Sequence, residues 1–70
     1  MEWIETPESS NLSRIGYDEM NMILTVEYKN DATYNYFEVS KDVFTQMKIA
    51  GSKGKFLAER IKGSYRYARA

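Results

Sequence analysis

The sequence predicts an α+β domain in which a three-stranded antiparallel β-meander is followed by two short α-helices packed on one face. Between Leu12 and about Val39, apolar and polar residues alternate, the period of a half-buried strand. Two clusters of turn formers, Asp18-Glu19-Met20-Asn21 and Lys29-Asn30-Asp31-Ala32, divide that stretch into three. After Ser40 the apolar spacing changes to the three-and-four pattern of a helix. Strands followed by helices fit helices laid across one face of an antiparallel sheet, with the other face left open.

In order along the chain, Glu2-Trp3-Ile4-Glu5 alternates like a short strand. The turn-rich Thr6-Pro7-Glu8-Ser9-Ser10-Asn11 separates it from the rest, so Trp3 is expected as a lid over the core and the second helix. The first strand of the meander runs from Leu12 to Tyr17 with Ile15 and Tyr17 on one face. The second runs from Met22 to Tyr28 and places Met22, Leu24, Val26 and Tyr28 inward. The third runs from Thr33 to about Val39. Ser40 then fits an N-cap, Asp42 suits the positive end of the helix dipole, and Val43, Phe44, Met47 and Ala50 form a buried face that Gly51 ends in a left-handed conformation. Ser52 caps a second helix whose inner side is Phe56, Leu57 and Ile61, with Gly63 as its stop.

Seventy residues make one domain, 1–70, which buries about 60% of the surface its unfolded chain exposes and leaves little room for an enclosed active site. The chain has no cysteine and no histidine. That removes disulfides, thiolate metal sites and the side chain most used for proton transfer near neutrality. No spacing of the remaining Ser, Lys, Tyr or carboxylate residues supports a catalytic set, so no catalytic, metal or cofactor site is expected and the protein is read as a non-enzyme. No apolar run approaches the roughly 18 residues of a membrane helix. Met1-Glu2-Trp3 begins nothing like a signal peptide, and the cytoplasm is the expected location.

The net charge of zero hides a polarity. From Met1 to Asp42 there are nine acids and three bases, a sum of minus six. From Val43 onward, seven bases stand against Glu59 alone, a sum of plus six. Such an asymmetry points to a charged partner on the basic side, with nucleic acid first, unless folding interleaves the halves and cancels the field.

Taken together, Ser9-Ser10-Asn11-Leu12, Ile15-Gly16-Tyr17-Asp18, Leu24-Thr25-Val26-Glu27-Tyr28, Tyr34-Asn35-Tyr36, Val39 and Ala50-Gly51-Ser52-Lys53-Gly54-Lys55-Phe56 resemble the KTSC domain over almost the whole chain. The order and spacing of these segments carry the resemblance. It implies a small domain of the kind found alone in bacterial and phage proteins and at the C-terminus of some lysyl-tRNA synthetases. Tyr34 and Tyr36 match its Tyr-x-Tyr signature, and RNA binding is suggested by that company. Ser40-Lys41 departs from the pattern, where a proline commonly follows the valine, and Ser40 can start the helix instead.

Three stretches are candidate contact sites. Tyr34 and Tyr36 share one sheet face, either as a stacking platform for bases or as core aromatics, and the small size of the domain favours the core. Gly51-Ser52-Lys53-Gly54-Lys55 offers amides and two cations to a phosphate, or simply joins two helix caps. It is not a Walker A loop, because Ile49 and Phe56 stand where glycine and Ser or Thr are needed. Tyr65-Arg66-Tyr67-Ala68-Arg69 interleaves aromatics with cations and also alternates like a strand.

The expectation is therefore a non-catalytic binding module whose Lys53, Lys55, Arg60, Lys62, Arg66 and Arg69 engage RNA phosphates, with Tyr65 and Tyr67 as stacking groups. The alternative is a protein-interaction module, such as a phage or mobile-element protein docking on a host factor through the acidic half or an unpaired sheet edge. The oligomeric state is not legible.

Overall fold

A computed structural model describes residues Met1–Ala70. The sheet has five strands, not the three expected: β1 Glu2–Glu5, β2 Leu12–Asp18, β3 Ile23–Tyr28, β4 Thr33–Tyr36 and β5 Tyr67–Arg69. They lie in sequence order as one antiparallel meander. The two additional strands are the two edges. Each is only three or four residues long, and β5 gains its partner after both helices have been traversed.

Alternation assigns the faces. Ile15 and Tyr17 of β2, Leu24 and Val26 of β3 and Tyr36 of β4 point to the helices and are buried. They join Leu12, Val39, Phe44, Met47, Leu57 and Ile61 in one apolar cluster. A bulge between Leu12 and Arg14 lets both Leu12 and Ile15 reach that side. Helix α1, Lys41–Ile49, starts where expected: the Ser40 hydroxyl accepts from the Val43 amide, and Asp42 lies in the first turn. Its anchor is Phe44, whose ring stacks on Tyr17 at 4.6 Å between centroids and 14° between planes. The Tyr17 hydroxyl donates to the Val39 carbonyl and ties the connection beneath α1 to the sheet.

Ser52 caps α2, Lys53–Phe56, by accepting from the Lys55 amide. The helix then widens into a π-helical turn, Leu57–Ile61, in which the Lys62 amide donates to the Leu57 carbonyl. Leu57 and Ile61, four apart on this turn, are both buried in the core. Gly63, at φ 82, ends it as the sequence predicts. No helix is long and apolar enough to cross a membrane.

Four local expectations are corrected. Met22 belongs to the hairpin turn at φ 54 and is exposed, because the loop needs one more residue before β3 can begin. The third meander strand stops at Tyr36, and Glu38 at φ 59 turns the chain away before Val39. Gly51 does not end α1. Ala50 leaves the helix with an extended backbone while its amide still donates to the Met47 carbonyl. Trp3 covers neither the core nor the second helix. It sits opposite Gly16 on the far side of the sheet, where the Arg14 guanidinium stacks 3.9 Å from the ring centre. Arg14 also makes a two-pronged bond to Glu27, at 2.9 and 3.1 Å. The face away from the helices is thus partly occupied.

Candidate functional site

The helices do not reach across the whole sheet. Beyond the end of the π-helical turn, the inward faces of β3, β4 and β5 remain open as a groove of about 600 Å³. Its aromatic lining comes from Tyr28, Tyr34, Tyr36 and Tyr67, and its cations are Lys62 and Arg69. The sheet register assembles it: Tyr67 pairs with Tyr36 and Arg69 with Tyr34 across β4 and β5, so all four side chains leave the sheet on one side. Tyr28 follows from β3, and Lys62 from the residue that caps the π-helical turn.

The rings meet edge-on or tilted, Tyr28 to Tyr34 at 90°, Tyr34 to Tyr67 at 65° and Tyr36 to Tyr67 at 39°, with centroids 5.7–5.9 Å apart. The Lys62 ammonium lies 5.7 Å from the centre of the Tyr28 ring, and the Arg69 guanidinium 5.9 Å from that of Tyr34. No carboxylate lines the groove. Tyr36 is 4% exposed and forms the floor, Tyr34 is half-buried, and Tyr67 is 60% exposed at the rim. Of the signature tyrosines, Tyr36 belongs to the core cluster and Tyr34 packs against it, and both line the groove.

Burial pushes the Tyr36 hydroxyl up to about 12, with neighbouring Tyr28 adding to the rise and Lys62 opposing it. Burial also raises Tyr28 and, more deeply in the core, Tyr17. Above pH 10 an unfolded chain gives up the Tyr36 proton that the folded chain keeps to about 12. The unfolded state then binds fewer protons, so stability is complete below pH 10 and declines as pH rises through that window. Thermal melts below and above pH 10 should show this decline, and Tyr36→Phe should make it shallower, leaving the part due to Tyr17 and Tyr28; an unchanged slope in the variant would assign the loss elsewhere.

The remaining cations are dispersed. Lys53 lines a separate recess of about 330 Å³ that Glu5 and Glu8 also line, and its ammonium donates to the Ala50 carbonyl. Lys55 is exposed after the Ser52 cap. Arg60 stacks on Phe56 at 5.0 Å and donates to the Gln46 side-chain oxygen. Arg66 stacks on Phe37 at 5.3 Å, and Tyr65 packs against the core cluster. Of the eight residues expected at a contact surface, the fold thus brings Lys62, Tyr67 and Arg69 together in the groove. Tyr28 was not singled out by the sequence, although its place at the end of an alternating strand gave its face.

Few ion pairs connect the acidic and basic halves. Lys48 to Glu2 is the one ion pair that joins the halves, and the other two, Arg14 to Glu27 and Lys41 to Glu19, lie within the acidic half. Lys53, Lys55, Arg60, Lys62, Arg66 and Arg69 have no carboxylate partner.

The sequence profile of the KTSC domain matches residues 8–65. This chain belongs to the KTSC domain family. A KTSC domain protein from Yersinia pestis has a crystal structure that superposes with a TM-score of 0.91 at 29% identity, covering 99% of this chain and 96% of that one. A protein from Tsukamurella paurometabola is 37% identical over 59 residues, 84% of this chain and 88% of the relative. A lysine–tRNA ligase from Nostoc punctiforme is 31% identical over 61 residues, which is 87% of this chain but only 11% of the ligase. The KTSC match includes Tyr28, Tyr34, Tyr36 and Lys62 and ends before Tyr67 and Arg69, so the floor of the groove lies within the family stretch and its rim beyond it.

Proposed function

We propose that this KTSC domain is a non-catalytic binding module that engages RNA through the cations of its C-terminal half. The observation that carries this reading is the groove flanked by Lys62 and Arg69 with no carboxylate to neutralise them. A phosphate there meets two cations already held beside aromatic rings, with no internal ion pair to break. The similarity to one short part of lysine–tRNA ligases supports an RNA setting, since those enzymes handle tRNA. Arg66 and Arg60 extend the positive field beyond the groove, while Lys53, beside Glu5 and Glu8, contributes less.

Fluorescence anisotropy of a labelled single-stranded RNA tests the reading. Each phosphate neutralised on a single strand contributes a slope of about −0.7 in log affinity against log salt, so two contacts lower affinity roughly sevenfold for a fourfold rise in salt. Lys62→Glu with Arg69→Glu should abolish saturable binding at low salt. Binding indifferent to salt, or unaltered in that variant, would refute it. A protein partner is the second reading, favoured by the unpaired outer edges of β1 and β5. A defined protein ligand that competes at either edge, combined with no RNA binding at low salt, would establish it instead.

A further inference from the structure

The groove's shape and chemistry say more than that a phosphate can approach. Its floor and rim are aromatic, its rings meet edge-on or tilted, and Tyr67 is left 60% exposed with ring surface that no other tyrosine covers by stacking. Two cations meet the same space, and Asn30 borders it as well. The Asn30 side-chain oxygen is engaged by the Ala32 amide, which leaves its NH₂ group as a donor. Flat surface, flanking positive charge and edge-directed polar groups are what an unpaired nucleotide requires, its base stacking on a ring and its phosphate resting on cations. A duplex offers no free base face, and its width does not enter a groove of about 600 Å³.

We infer that the groove holds one unpaired nucleotide, its base stacked on Tyr67 above the Tyr34–Tyr36 floor and its phosphate on Lys62 and Arg69, so that this domain selects single-stranded over double-stranded RNA. The inference rests on the RNA-binding reading and adds to it the part of the RNA that is read. Tyr36 supports the site from below. Tyr67 is the selective residue, and its exposure means that changing it disturbs little of the core.

The experiment compares three labelled probes at low salt: a single-stranded RNA, the same sequence as a duplex, and a strand of equal length with abasic sites throughout. The single strand should bind at least about fivefold more tightly than either of the others, the lower end of what one stacked base contributes. Tyr67→Ala should reduce single-strand affinity to the level of the abasic strand and leave abasic binding unchanged. Tyr67→Phe should retain the preference, because the ring and not the hydroxyl stacks. Equal binding of all three probes, or Tyr67→Ala binding like the unaltered protein, overturns the nucleotide site while leaving phosphate engagement standing. Loss of the preference in Tyr67→Phe overturns stacking as its source. No binding of any probe overturns the RNA reading itself.

Discussion

Replacing Phe44 with alanine is expected to destabilise the fold by about 3–5 kcal/mol, the range for removing a large aromatic from a close-packed interior. Phe44 is 2% exposed and is the ring through which α1 stacks on Tyr17. Its loss opens a void that α1, nine residues long and otherwise buried through Met47, is too lightly anchored to fill. A chain of this length has a total stability of roughly 4–10 kcal/mol, so the substitution removes about 30% of it or more. Urea denaturation followed by circular dichroism should show a lower midpoint at constant m. A loss below about 1 kcal/mol would mean that α1 is held mainly by other contacts.

The second large effect is expected at Gly16. A Cβ there would lie 2.6–2.9 Å from three ring carbons of Trp3, distances that real Cβ atoms do not sustain. Gly16→Val therefore forces the indole off β2 and breaks its stacking with Arg14. The cost should be about 1–3 kcal/mol, the usual penalty for inserting atoms into a filled space. Trp3 is the chain's only tryptophan, so its fluorescence reports the displacement as a shift to longer wavelength. In a Trp3→Ala background the same substitution should be nearly neutral, because the collision partner has gone. Unchanged emission in Gly16→Val, or an equal penalty in both backgrounds, would show that the ring does not depend on this seat.

These two residues also show what a sequence reveals and what it withholds. Phe44 was legible because helix periodicity, the Ser40 cap and Asp42 all mark one short helix with one inner face. Gly16 was not, because its role is defined by a missing side chain opposite a residue thirteen positions away on another strand. Strands β1 and β5 were visible as alternation in Glu2–Glu5 and in the Tyr65–Arg69 stretch. They fall outside the three-stranded meander that the pattern predicts, because strands of four and three residues are decided by partners that local pattern does not name. The same limit hid the groove. Tyr67 and Arg69 were recognised as an aromatic and a cation, and Tyr34 and Tyr36 as neighbours on one face. Only the pairing of β4 with β5 places them together. The π-helical turn left no trace either, since a spacing of four between Leu57 and Ile61 reads equally well as an ordinary helix.

The lateness of β5 in the chain has a kinetic consequence. Strands β1 to β4 each pair with the strand just before or after them through short connections, whereas β5 must close a loop containing both helices. Its three residues are all exposed, and it is fastened beyond its own ladder by the Phe37 amide to the Arg66 carbonyl and the Ala70 amide to the Thr33 carbonyl. With no buried side chain of its own, it is expected to open at a lower free energy than the strands of the core, which hydrogen exchange at the Phe37 and Ala70 amides would report. The groove is thus completed by the strand that closes the longest loop and buries no side chain of its own. Any molecule that touches both Tyr67 and Arg69 would add its binding free energy to what holds the fifth strand in place, and so act as a clasp on the sheet's edge.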